Sequence, residues 1–229
     1  NMAFDYQNGI WSGTSTDATQ LSWMWKRAPS YFDVVCYIGN DSNRNLSHNL
    51  GAVPEMMWVR RRDSTGGDWE VYHKDTGNTK YLVLNSTAAA STSQYSWNNT
   101  TPTESVFTVG TATNTNGGNG DAYIAYLFAS LDGISKVGSF TATGNDVDVD
   151  CGFSNGARFV LIKRTNSADD WFVFDTVRGI VAGNDKRLKL NATTAEATAD
   201  NIDPLSSGFT MTSGILGSSG NTFIFYAIA

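Results

Sequence analysis

The chain alternates short apolar runs with clusters of Gly, Asn, Ser and Thr, a pattern typical of β-strands joined by turns. No segment shows a helical period long enough to compete with this reading. In the first half, strands are predicted near 33–38, 44–49, 56–62, 69–74, 80–85, 106–110 and 122–129. In the second half, strands are predicted near 136–142, 146–152, 158–165, 171–176, 186–191, 208–212 and 222–229. Seven short strands in each half predict an all-β protein of antiparallel β-sandwich or jelly-roll type.

The clearest local signal is a hairpin from Met56 to His73. An apolar strand, a turn over residues 63–68 rich in Asp, Ser and Gly, and a Trp-led strand follow one another in order. The segment from Phe159 to Asp175 repeats this order and predicts a second hairpin of the same kind.

An internal repeat organises the whole chain, because an offset of about 102 residues aligns many identities between the halves. Arg62 then falls on Arg164, and the pair Asp68 and Trp69 falls on Asp170 and Trp171. The recurring positions expected to be structural are Trp69, Trp171, Pro102, Pro204, Tyr126 and Tyr226. We therefore predict two tandem antiparallel β-sandwich repeats of jelly-roll type, over residues 32–131 and 132–229.

Each repeat ends in a segment that is apolar on nearly every residue, Tyr123–Ala129 and Phe223–Ala229. Such a pattern predicts a central strand covered on both faces. A third segment of this kind, Leu21–Lys26, precedes both repeats. Residues 1–31 are therefore interpreted either as the tail of a preceding repeat or as an arm that completes a sheet in a neighbouring subunit.

Charge and composition narrow the classes of partner. The net charge of −6 argues against a surface that neutralises nucleic-acid phosphates. The basic run Arg60–Arg62 lies beside Asp63 and Asp68 and is interpreted as an exposed strand and its turn. No apolar run approaches the roughly 20 residues of a membrane span, so membrane insertion is not expected.

The sequence offers little for catalysis. His48 and His73 have no histidine at the matching positions of the second repeat, and no G-x-S-x-G, P-loop, H-E-x-x-H or C-x-x-C motif is present. The four glutamates do not fall in the E-x-D-x-x-E spacing of jelly-roll glucanases. We therefore expect a protein that is not an enzyme.

Metal or cofactor binding is not predicted either. Asp146, Asp148 and Asp150 alternate along a predicted strand, so their carboxylates share one face, and three clustered oxygens suit a calcium ion. The first repeat has Asn and Ser at these places, and a solvated outer face is the preferred interpretation. Cys36 and Cys151 lie at non-equivalent positions. Small buried residues are expected there, and a bridge between the halves is the alternative.

Seven tryptophans suggest a sugar-binding surface, because aromatic faces stack on pyranose rings while Asn or Asp side chains bond the hydroxyls. Trp69 and Trp171 recur, which favours core packing or hairpin closure. Trp97 and Trp11 have no equivalent tryptophan and are the ligand-binding candidates. Asp68 and Asp170 are the candidate hydroxyl-binding carboxylates.

Several long motifs are identified as a group. They are S-H-N-L-G-A-V-P-E-M-M-W-V at 47–59, D-W-E-V-Y-H-K at 68–74, G-N-T-K-Y-L-V-L-N-S-T at 77–87, S-K-V-G-S-F at 135–140, R-F-V-L-I-K-R-T at 158–165 and D-W-F-V-F-D-T-V-R-G at 170–179. Together they resemble a tandem repeat domain of uncharacterised function. That domain occurs in virion proteins of marine tailed phages, typically at the end of long tail or fibre-like proteins. The resemblance covers about residues 21–229.

The resemblance implies a phage structural or adhesion module with a lectin-like sandwich fold, and it implies no catalytic residues. We therefore expect a non-enzymatic virion protein, exposed on the particle as a tail fibre, tail appendage or surface decoration. Its expected partners are copies of itself, other virion proteins and a host surface glycan. A stand-alone carbohydrate-binding module is the alternative hypothesis, and a polysaccharide depolymerase is the third.

Overall fold

The computed structural model describes residues 3–4, 11–12 and 23–229. Two short strands near the start, β1 (Ala3–Phe4) and β2 (Trp11–Ser12), pair with each other. The first half then contains β3 (Phe32–Ile38), β4 (Arg44–Ser47), β5 (Met56–Arg61), β6 (Glu70–His73), β7 (Lys80–Val83), β8 (Ser91–Thr92), α1 (Gln94–Trp97), β9 (Val106–Val109) and β10 (Ala122–Phe128).

The second half contains a similar series of short strands. They are β11 (Ser135–Thr141), β12 (Val147–Asp150), β13 (Phe159–Arg164), β14 (Trp171–Asp175), β15 (Asn184–Lys189), β16 (Ala197–Asp200), β17 (Ile202–Leu205), β18 (Gly208–Met211), α2 (Ser213–Leu216) and β19 (Thr222–Ile228). The described fold is therefore all-β, with two helices of a single turn each.

Each half forms one large antiparallel sheet, and the order of the strands in this sheet is the same in both halves. The first large sheet has the order β3-β10-β5-β6-β7-β8, and the second has the corresponding order β11-β19-β13-β14-β15-β16. Two smaller sheets, β4-β9 and β12-β18-β17, accompany them. The predicted hairpins are confirmed, because β5 pairs with β6 and β13 pairs with β14 in antiparallel register.

Side chains alternate across each large sheet and supply three apolar cores. In β10, Tyr123, Ala125 and Leu127 pack with Phe107 and Val109 of the small β4-β9 sheet. The opposite faces of the two large sheets meet in a core shared by both halves. In the second half, Phe223 and Phe225 of β19 face a third core together with Phe209 and Met211 of β18. The sheets are thus layered small, large, large, small.

All fourteen predicted strands correspond to observed strands, with ends within two residues. Five short strands, β1, β2, β8, β16 and β17, were not predicted; Ala197–Asp200, for example, carries no apolar alternation. β10 and β19 each lie between two hydrogen-bonded neighbours, which confirms the prediction that the closing segments are interior strands.

Two predictions drawn from the repeat alignment are wrong. The supposed third closing segment forms no strand over residues 23–26, because Trp23 and Trp25 pack against the core between the large sheets instead. Leu21 and Ser22 lie outside the described residues. The alignment of Arg62 with Arg164 is also shifted by one. Arg61 lies opposite Tyr123 and Arg164 lies opposite Phe223, so Arg61 is the structural equivalent of Arg164.

Candidate functional site

The interface between the two large sheets is closed on one side by a tryptophan segment. Trp25 meets Trp58, Phe128 and Phe159 edge-on at centroid distances of 6.1, 6.1 and 5.7 Å. Trp23 meets Phe159 at 6.1 Å, and its indole nitrogen donates to Asp175 Oδ2 at 3.2 Å. Residues 23–25 therefore tie the first large sheet to the second.

A clamp of Asp, Trp and Asn recurs in both halves. Asn85 Oδ1 accepts the backbone N–H of Trp69 at 2.9 Å, and the Asn85 amide donates to Asp68 Oδ1 at 2.9 Å. The second half repeats both bonds at 2.7 and 2.8 Å, through Asn191, Trp171 and Asp170. The clamp fixes the start of the Trp-led strand to the loop that follows the next strand.

The second carboxylate of the clamp is held more firmly than the first. Asp170 Oδ2 lies 2.7 Å from Lys189 Nζ. Burial tends to raise the pKa of Asp170, but hydrogen bonds from Lys189 and Asn191 outweigh it and hold the pKa below its usual value. Asp68 and Asp170, predicted to bind sugar hydroxyls, are thus engaged within the fold.

The two clamp tryptophans differ in what covers them. Trp171 is fully buried, and its indole nitrogen donates to the carbonyl of Val83 in the first half at 2.9 Å. Trp69 is half-buried and stacks on Tyr126 at 5.5 Å, with the Arg60 guanidinium 5.6 Å from its ring centroid. Core packing is confirmed for Trp171, whereas Trp69 remains accessible from outside.

The basic residues beside these tryptophans differ in burial in the same way. Arg60 and Lys163 are equivalent, since they lie opposite Ile124 and Ile224 respectively. Arg60 is half-buried, but Lys163 is fully buried. The Lys163 ammonium donates to the carbonyls of Thr87 and Asp169 at 2.9 and 2.6 Å. Burial lowers its pKa to about 8.

Apolar grooves remain around the tryptophan segment. A groove of about 150 Å³ has no polar lining and lies among Trp23, Trp25, Trp58, Trp69, Leu84, Tyr126, Phe159, Leu161, Val173 and Leu190. A second groove of about 390 Å³ runs over β3 and β10 on the other side of the same segment. These grooves mark where the first large sheet extends beyond its contact with the second.

We define the open apolar face as the set Met24, Val34, Cys36, Ile38, Ile124 and Tyr126. Met24 and Ile38 are 56% and 54% exposed. The strand pairing makes Ser139 and Thr141 of β11 the equivalents of Cys36 and Ile38 of β3. At these two positions the matching face of the second sheet is polar where the first is apolar. Val34, Ile124 and Tyr126 instead match Val137, Ile224 and Tyr226, which are apolar and buried.

A hydroxyl-lined groove of about 260 Å³ lies where β11 and β19 meet loops of the first half. Its polar lining is Asp75, Thr76, Lys80, Ser139, Thr141, Thr165, Asn166 and Thr222. Phe140 and Phe223, whose rings stack at 5.3 Å, contribute to the same groove. Hydroxyls, an amide, a carboxylate and an ammonium group beside aromatic rings are groups that bind sugars.

The prediction that Trp97 binds a ligand is wrong. Trp97 is fully buried against Tyr72, and its indole nitrogen donates to the carbonyl of Lys80 at 3.0 Å, so neither ring face is available for stacking. Trp11 begins β2, and its side chain lies outside the described residues. Pro102 is buried before β9, while Pro204 is exposed in β17 opposite Phe209, so this recurring proline has two environments.

The alternating aspartates each have a protein partner. Asp146 accepts the N–H of Ser213 at 2.7 Å, and Asp148 accepts the hydroxyl of Thr210 at 2.6 Å. Asp150 accepts the N–H of Gly152 at 2.8 Å. Within the described residues, no three His, Cys, Asp or Glu side chains are grouped to hold a metal ion.

The cysteines and histidines lie apart from one another. Cys36 is exposed and Cys151 is buried, and both are free, so the alternative of a bridge between the halves is not realised. Burial raises the pKa of the Cys151 thiol to about 12. His48 Nε2 lies 3.0 Å from the carbonyl of Thr103. His73 is fully buried, and burial lowers its pKa to about 4.

Sequence reasoning missed the open apolar face. The available signal was the contrast between β3 and β11, F-D-V-V-C-Y-I against S-K-V-G-S-F-T, once the closing strands were aligned. The sequence around Trp23 and Trp25 was misleading. Its apolar alternation predicts a strand, but the same pattern also suits a segment inserted between two sheets.

The chain belongs to a family described as a domain of unknown function, DUF7483, which matches residues 3–229. The match spans both halves and the segment before them. No curated protein and no solved structure matches the chain. Among the described residues, both helices have four residues, well short of the roughly 20 that cross a bilayer.

Proposed function

We propose that this protein is a non-enzymatic structural protein of a phage particle, in which two tandem sandwiches of jelly-roll type mediate assembly and host-surface adhesion. The phage origin rests on the resemblance of the repeat motifs, and the tandem arrangement rests on the equal strand order of the two halves. On this proposal the protein is exposed on the particle and forms homo-oligomers.

The open apolar face is the observation that carries the assembly role. Contiguous exposed apolar surface on a soluble protein marks a contact with another macromolecule. The equivalent face of the second sheet carries Ser139 and Thr141 where β3 has Cys36 and Ile38. The protein therefore has one face suited to burial in an assembly and a matched face that is not.

Light scattering of the native protein at low and physiological salt tests this function. We expect a discrete oligomer that persists at both salt concentrations, because apolar contacts are not screened by salt. Met24→Ser, which removes a side chain 56% exposed on this face, is expected to shift the mass towards the monomer. A monomer of 24.8 kDa under all conditions would contradict the assembly role.

The hydroxyl-lined groove favours a second candidate, a carbohydrate-binding module that acts without assembly. Asn166 and Thr141 are exposed at its rim, and Asp75 and Lys80 line it from the first half. Titration with surface polysaccharides, followed by tryptophan fluorescence and calorimetry, tests this candidate. Binding that is lost in Thr141→Ala by a monomeric protein would favour it over assembly, whereas a flat response across a broad panel would remove it.

A further inference from the structure

The outer edge of β3 offers unpaired backbone groups. β3 is the terminal strand of the first large sheet. The N–H of Gly39 donates to Asp121 and the carbonyl of Tyr31 accepts from Ala129, so odd-numbered residues of β3 bond to β10. In an antiparallel ladder the intervening residues point their N–H and C=O groups the other way. Val34, Cys36 and Ile38 therefore present these groups to the edge.

The length of this open edge is set by its two ends. The N–H and C=O of Phe32 are both bonded to Ala28, which closes the edge before Val34. The carbonyl of Ile38 accepts from the Arg44 guanidinium, which bounds the other end. Between these ends, no described residue pairs with the outer side of the strand.

The equivalent edge in the second half is more nearly closed. Ser135 exchanges backbone bonds with Leu131, as Phe32 does with Ala28. The next outward N–H, that of Val137, already donates to Ser130 Oγ at 3.0 Å. Ser139 and Thr141 complete that edge with polar side chains. One chain thus contains an open apolar edge and a matched, partly capped polar edge.

The geometry points to a second copy of this chain as the occupant of the β3 edge, in antiparallel pairing about a two-fold axis at Cys36. This register places Cys36 opposite Cys36 of the partner subunit, and Val34 opposite Ile38 of the partner subunit. It uses the open backbone groups of Val34 and Cys36 and the N–H of Ile38, whose carbonyl also accepts from Arg44, and it leaves the bonded Phe32 outside the ladder. The inference rests on the proposed assembly function and names the partner and register of that same face.

Two further features favour self-pairing. The apolar side chains of β3 continue the interface between the large sheets, where Phe32 and Val34 already pack, so a second β3 would extend an existing apolar contact. The strand carries one charged residue, Asp33, which is paired with Arg27 at 2.5 Å. Two-fold pairing therefore brings no unpaired like charges opposite each other.

Disulfide trapping tests the register. Directly opposed residues of a hydrogen-bonded antiparallel pair have Cα atoms about 5.5 Å apart, which lies within the range of disulfides. Mild oxidation of the native full chain should yield a covalent dimer through Cys36, because Cys151 is buried. Cys36→Ser should abolish this product and Cys151→Ser should not. Failure of the wild type to cross-link, while light scattering shows an oligomer, overturns this register and leaves the assembly function standing.

A matched pair of edge variants tests the surface. Ile38→Lys should weaken dimerisation at least tenfold, while Thr141→Lys at the equivalent exposed position of β11 should leave it unchanged. Circular dichroism checks that both variants fold. Amide hydrogen exchange of the wild type supplies an independent readout, in which Cys36 becomes protected with rising protein concentration and Ser139 does not. Equal effects of both variants, or no protection at Cys36, overturn the inference, and a monomer at every concentration overturns the assembly function with it.

Discussion

Lys163 carries a buried ammonium group at the contact between the two large sheets. Its burial predicts how the free energy of unfolding changes with pH. Its two hydrogen-bond acceptors are backbone carbonyls, those of Thr87 and Asp169. Burial lowers its pKa from 10.5 to about 8, although Asp169 and Asp170 nearby act in the opposite direction. The native protein therefore releases this proton at a lower pH than the unfolded chain does.

The sign and size of the effect follow from this difference. Where the unfolded chain binds more protons than the native state, the free energy of unfolding rises with pH. For Lys163 this window opens as the pH rises through about 8 and closes near 10.5. At about 1.4 kcal/mol for each tenfold change in the proton equilibrium, the gain between pH 7 and pH 9.5 is about 2 kcal/mol.

Lys163→Met isolates this contribution. Methionine keeps most of the apolar stem, removes the titrating group, and leaves the carbonyls of Thr87 and Asp169 without the amine. At pH 7 the relief of burying a charge and the loss of two hydrogen bonds, roughly 1–3 kcal/mol each, oppose one another. The net change at a single pH is therefore a poor test, and the pH dependence is the informative quantity.

Urea unfolding at pH 7.0, 8.0, 9.0 and 9.5 measures it. We expect the free energy of unfolding of the wild type, relative to Lys163→Met, to rise by about 2 kcal/mol over this range. Arg60→Met is the matched control at the equivalent, half-buried position, and its difference from the wild type should stay constant. Ionisation of the buried tyrosines and Cys151 lowers the free energy of unfolding at high pH. This loss is the same in all three proteins and cancels when their free energies are subtracted. Parallel curves for the wild type and Lys163→Met would refute the buried-ammonium account.

Three further predictions concern the clamp and the buried histidine. Asn191→Ala is expected to lower the free energy of unfolding by about 2 kcal/mol and Asn85→Ala by about 1 kcal/mol, because the second clamp is less exposed; urea titration measures both, and the opposite order would contradict the clamp account. Trp171→Phe should cost about 2–3 kcal/mol through a lost bond and lost volume, against less than about 1 kcal/mol for Trp69→Phe, and thermal unfolding followed by circular dichroism ranks the two. As the pH falls from 6.5 towards 4, the unfolded chain takes up a proton that buried His73 does not. The free energy of unfolding of the wild type should therefore fall by about 2–3 kcal/mol more than that of His73→Leu. Urea unfolding over this pH range measures both, and equal losses would contradict the prediction.

Much of the fold is readable from local patterns. Short apolar runs separated by clusters of Gly, Asn, Ser and Thr identified fourteen strands, because turn-forming residues mark where each strand ends. The repeat then predicted matching strands along the two halves, and the structure shows that their order in the large sheets is also the same. Arg62 shows where alignment by identity ends, since three consecutive arginines give no local reason to prefer one register, and only pairing with β10 selects Arg61.

The candidate site depended on tertiary relations that no local pattern contains. Trp97 lies in α1 and is fully buried, whereas Trp23 packs against the core between the two large sheets. Lys163 reads as the polar end of a strand, and only the approach of Thr87 from the other half encloses it. Burial of this kind is decided by how the large sheets overlap, which is a property of the packed molecule.

The internal repeat also explains why one half is the better candidate for contact with another molecule. Both halves build the same sheet and the same clamp, so differences between equivalent positions report differences in surroundings. The second half buries Trp171 and Lys163 beneath the first and places Ser139 and Thr141 at its exposed edge. The first half leaves Cys36 and Ile38 exposed at the equivalent edge. Open apolar strand edges invite pairing with other strands. On the proposal made above, a further strand covers the apolar edge of the first half.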